Sequence, residues 1–152
     1  MKHTTRKAWL SGVLCIALLA AAAFGFTGCT ADKPEETPVQ SLLYAPGDTP
    51  HTLGEGDIFF PLTVTHLDGT AVEFEISTEQ DTVGEALEEV GLISGEEGPY
   101  GLMITSVNGE TLIYEQNKAY WGFYIDGAYA TSGVDTTEIV PGCTYALAAD
   151  NA

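Results

Sequence analysis

Three dipeptides, Asp68-Gly69, Asn108-Gly109 and Asp126-Gly127, punctuate the chain beyond residue 57, and each lies between runs in which apolar and polar residues alternate. Such pairs supply the positive φ angles of a tight turn, so the pattern predicts three β-hairpins. In the first, IFFPLTVTHLDGTAVEFEIS from Ile58, Leu62 and Val64 share a face. Val72, Phe74 and Ile76 alternate with Glu73 and Glu75, which gives the return strand a core side and a wet side. The second hairpin is LMITSVNGETLIYE, and the third has strands near Ala119 to Ile125 and Ala128 to Thr131. A last strand near Thr144 to Ala148 follows Pro141-Gly142.

One helix interrupts this series. In DTVGEALEEVGLISGEEGPYG, Thr82 and Glu85 have the spacing of a capping box, and Asp81 adds negative charge at the positive helix end. Val83, Ala86, Leu87 and Val90 form one apolar stripe, Gly91 is placed to end the helix, and a Gly-rich loop follows. A helix of about ten residues is marginal alone and needs a sheet to lie on. The predicted class is α+β, a single helix packed on a mixed or antiparallel sheet, with residues 57–152 as one domain.

The N-terminus is of a different kind. Lys2, Arg6 and Lys7 precede nineteen uncharged residues from Ala8 to Phe26, the layout of a secretory signal. FTGC, ending at Cys29, has the form of a lipidation motif, so residues 1–28 are expected to be a lipoprotein signal peptide and Cys29 the lipid attachment site. An uncleaved membrane anchor is the other reading of the same run. Both place the remainder outside the cytoplasmic membrane, lipid-anchored at the extracellular face in the first case. Residues 30 to 56 hold four of the seven prolines among Gly, Asp, Glu and Thr. That composition buries too little apolar area to offset ordering, and predicts a disordered tether over 29–56. Its apolar island, Leu42, Leu43 and Tyr44, either docks on the domain or stays exposed.

Beyond residue 28 only Lys33 and Lys118 face all 22 acidic residues, a balance that repels nucleic acid and anionic headgroups. Cys143 then has no intramolecular partner, and in PGCTYALAA it reads as a small hydrophobe or, alternatively, a reactive thiol. Signals for an enzyme are poor. His51 and His66 have no nucleophile at a recognisable spacing, and phosphate-binding, dinucleotide and paired-cysteine zinc motifs are missing. DGTAVEFE and DGAYATSGVD lack the alternating oxygens of a calcium loop. Neither catalytic residues, metal ligands nor a cofactor are expected.

The third hairpin, KAYWGFYIDGAYATSGV, is where aromatic residues concentrate. Trp121, Phe123 and Ile125 share one face of a strand, Tyr120 and Tyr124 share the other around Gly122, and Tyr129 returns on the opposing strand. One account has Trp121 and Phe123 in the core and the tyrosines covering the far side. The other has the tyrosines forming an amphipathic surface for a planar ligand or a partner, with Gly122 permitting close approach.

The runs TVGEALEEVGLI, GPYGLMITSVNG and AYWGFYIDGAYATSGVDTTEIVPGCTYALA resemble the transcobalamin-like C-terminal domain, a domain of unknown function widespread in bacterial surface lipoproteins. The resemblance covers about residues 58 to 150, and YWGFYIDG with SGVDTTEIVPGCTY are its most specific pieces. It implies a β-grasp-like module. In the animal vitamin carriers that domain caps one face of cobalamin, so it implies cobalamin or another corrinoid as a ligand. The expected contacts are Tyr100, Tyr120, Trp121, Phe123, Tyr124 and Tyr129. It further implies a vitamin transporter of the energy-coupling type as partner. A surface module that docks a protein or a cell-wall glycan, with no small-molecule ligand, is the alternative.

Overall fold

The computed structural model describes residues 40–151, so the apolar N-terminus, Cys29 and the first part of the expected tether lie outside it. In chain order the strands are β1 (His51–Gly54), β2 (Ile58–Thr65), β3 (Ala71–Thr78), β4 (Ile93–Gly98), β5 (Gly101–Val107), β6 (Glu110–Thr111), β7 (Ala119–Ile125), β8 (Ala128–Tyr129) and β9 (Tyr145–Asn151). The helices are α1 (Val83–Glu89) and the single turn α2 (Tyr114–Asn117), with a 3-10 turn at Val134–Thr136. Strands dominate, in two open sheets. The larger runs β1-β3-β2-β9-β7-β8, and the smaller runs β4-β5-β6.

Alternation in the first hairpin sets the core. β2 and β3 pair antiparallel with Leu62 opposite Phe74 and Val64 opposite Val72. These four, with Phe60 and Ile76, are at most 2% exposed. β9 inserts beside β2, parallel to it, and carries β7 antiparallel on its other edge, so Tyr145 and Leu147 extend the same apolar face. The sheet is therefore mixed. α1 covers that face through Val83, Ala86 and Leu87, all fully buried. Its start is the predicted one: Thr82 Oγ1 accepts the Glu85 N–H at 3.3 Å and donates to the Glu85 carboxylate at 3.0 Å. Gly84 lies flush against Asp135, where a Cβ would come within 2.8 Å of the backbone, so the helix is seated on the 3-10 turn.

The three turns are of two kinds. Asp126 and Gly127 both take positive φ, 50° and 80°, and so do Asn108 and Gly109, 48° and 84°, as a two-residue turn requires. At the first turn only Gly69 does, at 84°. There His66 donates its N–H to Thr70 across a three-residue loop, and Asp68 accepts the Thr70 N–H at 2.8 Å.

Several expectations change. The Gly-rich loop after α1 is strand β4, paired with β5 through a bulge at Ser94/Gly95. A Cβ at Gly95 would run into the Met103 carbonyl, so glycine here admits a close strand rather than a loop. The return arm of the second hairpin stops at Thr111. Asn117 Oδ1 then accepts the Ile113 N–H at 2.7 Å, and the chain coils into α2, which Lys118 ends in the left-handed conformation at φ 53°. Lys118 Nζ lies 5.5 Å over the Tyr114 ring.

The expected tether also yields part of its length to the domain. Gln40 bonds the backbone of Thr111, Leu43 donates its N–H to Asn108 at 3.0 Å, and β1 runs parallel to β3. Of the apolar island, Leu43 is 60% exposed while Tyr44 packs edge-on against Phe74, centroids 5.6 Å apart. Proline content concealed this, because a strap needs only one anchoring ring and an open strand edge to cover.

Truncation of Leu147, fully buried on central strand β9, is expected to cost about 2–5 kcal/mol in Leu147→Ala. Phe59→Ala, at a side chain 65% exposed, should stay within about 0.5 kcal/mol. Urea denaturation of both variants checks the contrast.

Candidate functional site

β8 is only two residues long and pairs with Tyr124 and Ile125 alone, so Ala119–Gly122 of β7 have a strand partner on the β9 side only. β5 passes beside that bare edge. Between them lies a cleft of about 330 Å³, walled by Leu102, Met103 and Ile104 on one side and by Tyr120, Trp121, Phe123 and Tyr129 on the other. Ala130, Ser132, Gly133 and Val134 close one end. Because the cleft wraps a strand edge, both faces of β7 contribute to it. Trp121 and Phe123, 8% and 7% exposed, reach it from the core side. Tyr120 and Tyr129, 40% and 58% exposed, reach it from the outer side. Phe123 is held by stacking on Tyr145, centroids 6.1 Å apart, and Trp121 meets His66 edge-to-face at 5.9 Å.

Tyr124 and Tyr100 stand elsewhere. Tyr100 is 98% exposed at the β4–β5 connection and does not line the cleft. Tyr124 lies on the outer face, where its hydroxyl donates to Asp150 at 2.6 Å and its ring meets Tyr129 edge-on at 5.3 Å. Gly122 explains the arrangement, since a Cβ there would collide with the Asp150 carboxylate and come within 3.1 Å of the Tyr124 ring. The close approach that glycine permits is thus taken up by the chain's own side chains. The Asp150 hydrogen bond, then burial, pushes the Tyr124 hydroxyl up to about 12. Burial chiefly, with Tyr129 and Asp150, also raises Tyr120.

The β5 wall and the 130–134 end were not marked by sequence reasoning, because an apolar run in a hairpin reads as core. A second hollow of about 440 Å³ shares Met103, Ile104 and Tyr120 with the cleft and adds Ile113 and Tyr114. A third, of about 420 Å³, lies across the outer face of β1, β2 and β3 beside Phe59 and Pro61. Among the described residues, two buried polar side-chain atoms lack a partner: Trp121 Nε1 and Asp135 Oδ1, the latter beside Gly133. No three His, Cys, Asp or Glu side chains among the described residues converge as a metal-ligand set. The Cys143 thiol is half-buried, and burial with a hydrogen bond to Asp126 raises it, which favours the neutral form.

Neutral Tyr124 is favoured in the folded state, so its contribution to stability is complete below about pH 10, the unfolded value, and disappears as pH rises through about 12. Spectrophotometric titration should show Tyr124 ionising late, and Asp150→Asn should bring it down toward the ordinary range.

Residues 80–144 match the profile of the family described as Domain of unknown function (DUF4430). No curated protein matches the sequence. Among solved structures, haptocorrin in complex with Cbi superposes with a TM-score of 0.50 at 14% identity, over 64% of this chain and 27% of that one. This chain thus spans about a quarter of haptocorrin's length, and the likeness is one of fold. A "putative metal binding protein" from Ruminococcus gnavus ATCC 29149 matches with a TM-score of 0.60 at 31% identity, over 63% of this chain and 99% of that chain. With that identity along nearly the whole of its relative, the chain belongs to the same family as the R. gnavus protein.

Proposed function

We propose that this chain is a non-enzymatic, lipid-anchored binding module at the extracellular face of a membrane. Its cleft between β5 and β7 captures a small planar ligand, with cobalamin or another corrinoid as the ligand, for uptake by a transporter of the energy-coupling type. The observation that carries this reading is the cleft itself: aromatic walls and hydroxyl rims, in a domain that shares its fold with part of a Cbi-bound carrier. A planar ring system is held best by such walls, whose apolar faces and polar tips both find partners. The order β3-β2-β9-β7, with the two central strands parallel, supports assigning the module to the β-grasp-like, transcobalamin-like class.

Cys29 lies outside the described residues, and anchoring rests on FTGC and the apolar run before it. Among the described residues, no helix is long and apolar enough to cross a membrane. Metal binding is said of the R. gnavus protein and forms no part of this reading.

A second reading, docking of a protein or a glycan, is favoured by the exposed Phe59 and Pro61 beside the 420 Å³ hollow on the outer face. Crosslinking on intact cells separates the two, since recovery of transporter subunits alone counts against adhesion.

In a Trp9→Phe background, Trp121 is the sole tryptophan, and a bound corrinoid should quench its emission. Tyr120→Ala and Tyr129→Ala should each weaken binding at least tenfold, about 1.4 kcal/mol, while Tyr124→Phe leaves it unchanged. Emission that stays constant up to millimolar corrinoid removes the corrinoid reading.

A further inference from the structure

We propose that His66 is a proton-sensitive clip that ties the strap Gln40–Ala45 to the wall of the cleft. This is a regulation that rests on the cleft being the binding site. His66 follows β2 and is 3% exposed. Its Nδ1 lies 2.6 Å from Glu110 Oε2, and its Nε2 lies 3.1 Å from Asn108 Nδ2. Asn108 is fully buried, in the left-handed conformation at φ 48°. Through Oδ1 it accepts the Tyr44 N–H, and through Nδ2 it donates to the Tyr44 carbonyl, both at 2.8 Å.

Those two bonds fix which end of the amide carries hydrogen. The remaining Nδ2 hydrogen goes to His66 Nε2, which is therefore an acceptor without a proton, and the Nδ1 hydrogen goes to Glu110. The same imidazole meets Trp121, which lines the cleft. One ring thus touches the strap's anchor on one element and the binding wall on another.

A proton on Nε2 sets an N–H against the Asn108 NH₂. Turning the amide over gives no relief, because it would face the Tyr44 N–H with NH₂ and the Tyr44 carbonyl with oxygen. Either the His66 contact or the Tyr44 pair is lost. The charged groups facing His66 are Glu110 from β6 and Asp68 from its own turn. The strap's own histidine, His51, bonds the Ala45 carbonyl through Nε2 at 2.8 Å, a contact that protonation leaves intact. Acid therefore acts at Asn108: the Tyr44 pair opens, while the strap stays held by Gln40 on Thr111, by the Leu43 N–H on the Asn108 carbonyl and by β1 on β3, and Trp121 loses its neutral neighbour.

Hydrogen exchange of the full, ligand-free chain in mild detergent, corrected for intrinsic rates, tests this at pH 7.5 and 5.0. Protection of the Tyr44 amide should fall at least tenfold at the lower pH. In the Trp9→Phe background, Trp121 emission should change over the same range. His66→Gln keeps an acceptor without a titrating group and should abolish both responses, whereas His51→Gln should leave them in place. Equal protection of the wild-type Tyr44 amide at both pH values overturns the proposal, as does a response that persists in His66→Gln or an emission that ignores pH. All these readings are made without ligand, so a failure of corrinoid binding removes the functional reading and leaves the clip standing.

Discussion

A sheet six strands wide with one helix of more than a single turn can bury only one of its faces, and most of this structure follows from that limit. The covered face carries Phe60, Leu62, Val72, Phe74, Tyr145 and Leu147, which meet α1 through side chains that see almost no water. On the uncovered face the residues in register are small or polar: Thr63 with Ala146, and Thr65 with Ala148, which in turn lies opposite Gly122. A face of this kind can stay wet without exposing a large apolar patch. Its larger rings are confined to the two sides, Phe59 with Pro61 at one and Tyr120, Tyr124 and Tyr129 at the other. The cleft appears where β7 has run out of strand partner, so the aromatic residues there serve two surfaces at once.

Much of this was legible in the residues. Alternation fixed which side chains of the first hairpin turn inward, since a period of two admits one register once a face is buried. Thr82 with Glu85 marked the helix start, because the cap is a local interaction. What could not be read were features that depend on distant segments. The pairing of β4 with β5 hangs on the space left at Gly95, and β1 exists only because β3 offers an edge. The β5 wall of the cleft is of the same sort. Leu102 and Ile104 look like core residues until the two sheets are seen to leave a gap between them. Of the rings singled out from sequence, the structure gathers Tyr120, Trp121, Phe123 and Tyr129 around one cleft and sets Tyr124 and Tyr100 apart.

His66 illustrates how a residue without an evident role acquires one from its surroundings. In sequence it is a histidine beside a turn. In the fold it joins the first hairpin to the second through Asn108 and Glu110, and reaches the third through Trp121. Burying a polar ring this deeply is tolerable only when both nitrogens are engaged, and both are.

Lys118, which closes α2 in the left-handed conformation and rests over Tyr114, is the lone lysine or arginine among the described residues. An enzyme that cuts after basic side chains therefore finds one address among residues 40–151, immediately before β7. A domain so constituted is a poor substrate for trypsin-like enzymes, and within it one side-chain amine, at the start of β7, is open to acylation.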